Sequence, residues 1–283
     1  MHHKLIQNPD ENSAAFAPGP RAFHKAFPFG SKIIYFGGLN ESKIYNSYCT
    51  YNTTTKKWTQ VKTINTPTPR EHFTFNLAND INYGFLFGGY YCTPDLEAEY
   101  NYNQLFSFNL KTLTWVYLQI PMGKLPKGRC MHCTQIINGV LWLFGGKWML
   151  ENNQEIFGDM WSIDLNESTD YLKWNLEDNC SGKVPSKRYA AAHTSFRDKL
   201  VIHGGNDEND RTLDDMFIFC VSNMNWTKVE IHFDKNQVER PIIGRYHHTI
   251  EVAGKNIYIL GGKHTDHSKD IHVSFALHKL SLE

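Results

Sequence analysis

The sequence has no excess of charge of either sign: its 283 residues include 29 lysines and arginines and 29 aspartates and glutamates. Proteins that bind nucleic acids or membrane surfaces rely on a clustered positive field, so the balance argues against both kinds of partner. No apolar run approaches the roughly 18 residues of a membrane span. The N-terminal residues also lack the apolar stretch of a secretory signal. We therefore expect a cytoplasmic or nuclear protein.

Cysteines are few, six in all, and a chain of this length can bury enough core to fold without disulfides. Cys130 and Cys133 have half the spacing of a zinc site, but no second pair stands at ligand spacing, so we expect two buried thiols. The sequence also lacks a nucleophile elbow, a phosphate-binding loop and a paired-carboxylate motif. It predicts no catalytic residue, no metal and no cofactor.

What the sequence does contain is an internal repeat. A short apolar run closes on two glycines five times, and successive doublets are 51, 57, 59 and 57 residues apart. The doublets end at Gly38, Gly89, Gly146, Gly205 and Gly262. An arginine precedes each doublet, and these are Arg21, Arg70, Arg129, Arg188 and Arg245. A tryptophan follows four of the doublets, at Trp58, Trp115, Trp174 and Trp226.

Each repeat contains four runs rich in aromatic and β-branched residues, bounded by Asn, Gly, Pro and Asp, which is typical of short strands. The arrangement resembles the Kelch repeat, which is about 50 residues long. The resemblance covers residues 19–283 and implies a single all-β propeller domain, residues 1–283. We predict five four-stranded blades, with six as the alternative because many Kelch propellers have six.

The last blade raises the question of how the ring closes. Its third strand is predicted near residues 270–276, and the N-terminal segment from Lys4 to Gln7 is predicted to supply its outer strand. Two alternatives are that residues 278–283 form the outer strand and that the natural protein continues beyond Glu283.

Three residue types in the repeat have predicted structural roles. The glycines permit a sharp turn near the crowded axis, and the tryptophans pack between adjacent sheets. A histidine follows each arginine within a few residues. This recurrence favours a repeated hydrogen-bonding role over a metal site.

The predicted function is protein binding, in a substrate-recognition or scaffold role. In related Kelch proteins, arginines of this region line a pocket for acidic ligands, which implies an acidic protein or peptide partner. The post-doublet loops of the second and third repeats are the longest and carry aromatics, which protein interfaces favour on exposed loops; the alternative is that these rings fold back over the blade edge. The predicted partner-binding residues are Arg21, Arg70, Arg129, Arg188, Arg245, Tyr91 and Trp148. Each arginine has a structural alternative, in which it only ties neighbouring blades together.

The competing function is that of a metal-dependent enzyme. Nitrile-specifier proteins resemble this chain in their Kelch repeats and are thought to hold iron through a Glu-x-x-x-Asp-x-x-x-His run. The nearest match here is Glu151, Glu155 and Asp159, which has the spacing but lacks the histidine.

Overall fold

The computed structural model describes residues 16–41, 43–78, 82–93, 95, 97–121, 123–150, 153–230, 244–265, 270–274 and 277–281. Five antiparallel sheets form a ring, which confirms the five-bladed all-β propeller over the six-bladed alternative. Thr169–Tyr171, a single turn of 3-10 helix, is the only helix within these ranges. No helix of the described part is long and apolar enough to cross a membrane.

Blades 1 to 3 have four strands each, and blade 4 has five. The strands are numbered from the axis outward, and the first four follow chain order. Blade 1 comprises Lys25–Phe29, Lys32–Phe36, Tyr48–Asn52 and Lys57–Val61. Blade 2 comprises Thr74–Ala78, Tyr83–Phe87, Leu105–Asn109 and Thr114–Leu118. Blade 3 comprises Cys133–Ile137, Val140–Phe144, Met160–Asp164 and Asn175–Leu176. Blade 4 comprises Ala192–Phe196, Lys199–His203, Met216–Cys220 and Asn225–Val229, with Ser181–Gly182 added in parallel to its outer edge.

Short hairpins follow the glycine doublets of four blades. They are Leu39–Asn40 with Lys43–Ile44, Tyr90–Cys92 with Glu99–Asn101, Lys147–Leu150 with Asn153–Ile156, and Lys263–Thr265 with Ile271–Val273. In blade 4 the corresponding loop forms an isolated bridge between Asn206 and Thr212. We refer to these four hairpins and the blade 4 loop together as the post-doublet loops.

Blade 5 corrects one prediction and leaves another open. Its three described strands are Thr249–Ala253, Asn256–Leu260 and Leu277–Ser281. The prediction of the third strand near residues 270–276 is therefore wrong. Ile271–Val273 pairs with Lys263–Thr265 in the post-doublet hairpin, and Leu277–Ser281 pairs with the second strand instead. The predicted N-terminal strand from Lys4 to Gln7 lies outside the described residues.

The glycine doublets are required by both backbone conformation and space. In blade 3, Gly145 and Gly146 have φ angles of 64° and 91°, in the left-handed region that side chains disfavour. A Cβ on Gly145 would lie 2.7 Å from the Arg188 carbonyl oxygen, and one on Gly146 would lie 2.6 Å from Cβ of His132. The predicted role of the doublets is confirmed.

Tryptophans fill the space between successive blades. Trp115 is fully buried and packs on Phe36 of blade 1, with ring centroids 4.8 Å apart. Trp174 contacts Phe87 of blade 2 at 5.1 Å, and Trp226 contacts Phe144 of blade 3 at 5.2 Å. Each of these three rings thus packs on the second strand of the preceding blade, as predicted. Trp58 is only half-buried.

Candidate functional site

The repeated arginines and the post-doublet loops meet at one end of the ring. In every blade, the residue after the arginine forms a backbone bridge with the start of its own post-doublet loop. The bridges join Ala22 to Leu39, Glu71 to Tyr90, Cys130 to Lys147, Tyr189 to Asn206 and Tyr246 to Lys263. The sequence placed these features near one another correctly, and this end of the ring is the candidate binding face.

The arginine side chains point inward rather than to solvent. Each guanidinium donates from Nη1 to the carbonyl oxygen of the first glycine in its own doublet. The pairs are Arg21 to Gly37, Arg70 to Gly88, Arg129 to Gly145, Arg188 to Gly204 and Arg245 to Gly261. All but Arg21, which is half-buried, have relative exposures of 3% or less.

The arginine backbones contact the preceding blade. The Arg188 amide donates to Phe157 O, and the Arg188 carbonyl accepts from Gly146 N. The equivalent two bonds join Arg129 to Tyr102 and Gly89. Each of these two arginines therefore bonds to the glycine doublet of its own blade through its side chain. Through its main chain it bonds to the post-doublet loop and the doublet of the preceding blade.

The second partner of each guanidinium differs from blade to blade. Arg129 is held by both carboxylate oxygens of Asp159, at 2.6 and 2.8 Å, and Arg188 by Asp215 at 2.6 and 3.2 Å. The equivalent partners are Gln104 for Arg70 and Ser47 for Arg21, while Arg245 contacts the His278 ring. Burial alone would raise the pKa of Asp159, but the hydrogen bonds and charge of Arg129 lower it below its usual range.

Aromatic rings complete these arginine sites. The guanidinium carbon lies 4.0 Å from the ring centre of Phe157 in blade 3 and 3.9 Å from that of Tyr102 in blade 2. Where no carboxylate compensates it, burial lowers the pKa of Arg70 to about 10. Four buried guanidiniums that donate within the fold offer a partner little surface, so this geometry favours the structural alternative for them. Their predicted binding role stays a prediction.

One signal in the sequence would have revealed this arrangement. The side-chain partner is always the residue immediately before the third strand, namely Ser47, Gln104, Asp159 and Asp215 in blades 1 to 4. A polar residue recurring there, in phase with the arginine, predicts an internal pair.

Tyr91 and Trp148 lie on the hairpins of blades 2 and 3, as the sequence predicts, and both are half-buried. The two hairpins are joined, because Asn101 Nδ2 donates to the Met149 carbonyl at 2.5 Å and Asn101 Oδ1 accepts from the Met149 amide at 3.1 Å. Tyr100 stands beside Tyr91, with ring centroids 6.4 Å apart, and is 54% exposed. The paired hairpins form one continuous surface, which we call the hairpin platform.

A groove of about 680 Å³ adjoins the hairpin platform between blades 3 and 4. No motif in the sequence indicates this groove. Its apolar lining includes Leu125 and Leu176, which are 46% and 42% exposed. Three exposed lysines, Lys124, Lys127 and Lys187, also line it. Glu155 pairs with Lys127 at 2.5 Å, and the Lys127 ammonium lies 4.3 Å from the Trp148 ring centre.

The axial channel opens at the same end and contains a cavity of about 250 Å³. At its rim, the second residue after each arginine has a φ angle of 53–55°. These residues are Phe23, His72, Met131, Ala190 and His247. Backbone bonds run between neighbours, from Met131 N to His72 O, Ala190 N to Met131 O and His247 N to Ala190 O. We call this chain of bonds the rim belt.

The histidines do not share one position or one bond, so their predicted common hydrogen-bonding role is wrong. His72 and His247 belong to the rim belt and stack at 5.2 Å, whereas His24, His132 and His193 lie deeper in the cavity wall. Only His132 among these three has a side-chain hydrogen bond within the described part of the chain, to Thr74 at 2.8 Å.

The two cysteines that have half the spacing of a zinc site are buried in the structure. Cys130 and Cys133 are buried free thiols, as expected, and burial raises the pKa of each to about 12. Within the described ranges, no three His, Cys, Asp or Glu side chains are grouped to hold a metal ion.

Comparison with known proteins places the chain among repeat proteins of this kind. The family model for the KLHDC2/KLHL20/DRC7 Kelch-repeats domain matches residues 8–176 and 85–280. Leucine-zipper-like transcriptional regulator 1 of Homo sapiens is 27% identical over 250 residues, 87% of this chain and 28% of that protein. Host cell factor 2 of Homo sapiens is 27% identical over 273 residues, 88% of this chain and 32% of that protein.

One further relative has the name of an enzyme. N-(sulfonatooxy)prop-2-enimidothioate sulfolyase of Thlaspi arvense is 24% identical over 188 residues, 64% of this chain and 53% of the enzyme. The chain spans less than a third of the length of the two human relatives and about half of this one.

Proposed function

This chain belongs to the Kelch-repeat family, and from that premise we propose that it binds a protein partner through the hairpin platform and the groove beside it. A protein-interaction role agrees with the Kelch-repeat domain that the chain matches. The partner and the contact residues are the part that we infer from the geometry.

The observation that carries the proposal is the platform itself. Two hairpins from different blades are held together by a paired amide contact. One carries the neighbouring rings of Tyr91 and Tyr100, and the other carries Trp148. Large aromatics held in a fixed position contribute contact area at low entropic cost, which is why they dominate protein interfaces.

The groove defines the chemistry of the partner. Exposed Leu125 and Leu176 favour an apolar side chain, and the lysines around them favour carboxylates on the same segment. We propose an extended acidic peptide segment with a central apolar residue. The arginines support this site from beneath, since Arg129 anchors Asp159 in the groove wall.

A metal-dependent enzyme remains the second candidate function because of the resemblance to the sulfolyase. Two of the three acidic residues that resemble the iron-binding run of nitrile-specifier proteins form salt bridges in this fold. Asp159 pairs with Arg129, and Glu155 pairs with Lys127. Glu151 lies outside the described residues. Metal analysis of untagged protein separates the two functions, since stoichiometric iron would overturn the interaction proposal.

The direct test is affinity capture from the source cell with the wild-type protein and matched variants. Trp148→Ala alters the hairpin platform, and Lys127→Glu alters the groove. The control is Tyr171→Ala, which removes a 65% exposed ring at the opposite end of blade 3, between its third and fourth strands. We expect the wild-type protein and the Tyr171→Ala variant to capture a partner that the other two variants do not capture. An acidic segment of that partner should then bind the wild-type protein directly. Identical capture by all four proteins would refute the site.

A further inference from the structure

The groove beside the hairpin platform contains an acidic side chain that already holds one of its lysines. Glu155 lies on the second strand of the blade 3 hairpin, and its carboxylate lies 2.5 Å from the Lys127 ammonium. Both residues line the groove, and their side chains are 53% and 48% exposed. The pair is therefore accessible to a ligand that enters the groove.

Trp148 completes the surroundings of this lysine. It lies directly opposite Glu155 across the hairpin, and its ring centre is 4.3 Å from the same ammonium. The main chain of Lys127 is also held, because Arg129 Nε donates to the Lys127 carbonyl oxygen at 3.0 Å. The ammonium thus occupies a defined point on the groove wall, between one carboxylate and one ring.

The second acid of the groove is not available in the same way. Asp159 accepts two hydrogen bonds from Arg129, at 2.6 and 2.8 Å, and one from Trp161 at 2.6 Å. Among the described residues, Lys127 is the one groove lysine with an ion pair. Glu155 is therefore the acid that stands where an acidic ligand would seek a cation.

We propose that Glu155 competes with the bound segment for Lys127, and that a ligand carboxylate takes its place beside the ammonium in the complex. This inference rests on the function proposed above and identifies a residue that limits the affinity of the groove. On binding, the Glu155 carboxylate returns to water, while the Trp148 ring keeps its contact with Lys127. One ion pair replaces another, so this contact adds little net affinity.

Glu155 opposes an acidic ligand in two ways. Its salt bridge to Lys127 must break, and its negative charge then repels the incoming carboxylates across a short distance. Glutamine has nearly the same size and removes both effects. Loss of an ion pair should therefore strengthen binding, whereas the same substitution would weaken binding if Glu155 positioned Lys127 for the ligand.

The test measures the affinity of one defined probe for the full chain by fluorescence anisotropy at low ionic strength. The probe is the C-amidated peptide Asp-Glu-Asp-Leu-Asp-Glu-Asp with a fluorescent label at its N-terminus. The variants are Glu155→Gln, Lys127→Met and the double variant. Glu167→Gln is the matched control, because it makes the same change in net charge at an exposed position beyond the third strand of blade 3. Circular dichroism confirms that each variant is folded.

We expect Glu155→Gln to bind the probe about three- to tenfold more tightly than wild type, as for one ionic contact at a solvated surface. Glu167→Gln should bind like wild type, and added salt should reduce the gain from Glu155→Gln. The gain should also be clearly smaller in the Lys127→Met background, where no ammonium is left to compete for.

The outcomes separate this inference from the function on which it rests. Unchanged or weaker binding by Glu155→Gln, or an equal gain from Glu167→Gln or in the Lys127→Met background, would overturn the role of Glu155 and leave the groove as the binding site. A probe that binds neither wild type nor Glu155→Gln would refute the acidic ligand class and both proposals with it.

Discussion

Removing one arginine from two different blades tests the structural role of the arginines quantitatively. Arg129→Ala deletes a fully buried guanidinium that donates to Lys127 O, Gly145 O and both oxygens of Asp159. Arg21→Ala makes the same change in blade 1, where the side chain is half-buried. The acceptors there are uncharged: Gly19 O, Gly37 O and Ser47 Oγ.

The two substitutions should differ because only one of them leaves a charge without its partner. Breaking a buried ion pair from one side costs about 3–5 kcal/mol. The Asp159 side chain retains 28% exposure and a hydrogen bond from Trp161, so we expect the lower end, about 3 kcal/mol. For Arg21→Ala, the loss of neutral hydrogen bonds in a partly hydrated place predicts about 1 kcal/mol.

Equilibrium unfolding in urea, followed by tryptophan fluorescence, measures both differences if the denaturant slopes stay equal. Asp159→Asn adds a third value, since the charge is lost and most of the shape remains. Equal destabilisation by Arg129→Ala and Arg21→Ala would refute the argument. So would an Arg129→Ala protein that unfolds at the wild-type urea concentration.

Three further perturbations have defined outcomes. Trp115→Ala should lower the free energy of unfolding by about 3–5 kcal/mol and the half-buried Trp58→Ala by clearly less; equal urea midpoints would contradict the link between burial of the ring and its contribution to stability. Burial raises the folded-state pKa of Glu71 to about 7, so its contribution to stability is full below about pH 4.5 and is lost as the pH rises to about 7. Thermal melts across that window should show a fall that Glu71→Gln removes, and an unchanged profile in the variant would contradict it. Burial lowers the pKa of Lys25, so the protonated residue destabilises the fold; Lys25→Met should raise the melting temperature near neutral pH, and a lowered one would mean that Lys25 is paired.

Most of the fold could be predicted because the repeat determines local geometry. Doublets such as Gly145 and Gly146 adopt the same left-handed backbone conformation in every blade, so the number of doublets in the sequence gives the number of blades. The last blade could not be predicted in this way. Nothing in the sequence shows that Ile271–Val273 pairs with Lys263–Thr265, and this pairing moves the third blade strand to Leu277–Ser281.

The candidate site was less predictable because residue type does not reveal the direction of a side chain. Arg129 and Arg21 occupy equivalent places in the repeat, yet one is fully buried against a carboxylate and the other is half-buried. The groove also escaped prediction, because it combines Leu125, Leu176 and Lys187 from three separate segments. Lys25 is one of 29 basic residues in the sequence, and only the ring brings it near histidines of other blades.

The rim belt separates what holds the propeller together from what it displays. Its bonds join main-chain atoms only, so His, Met and Ala occupy equivalent positions in it. The left-handed backbone there disfavours β-branched residues most strongly. Five positions of the same backbone conformation thus surround the mouth of the channel, and the rim belt joins four of them. The size, polarity and charge of that mouth can be redesigned one blade at a time, with the scaffold unchanged.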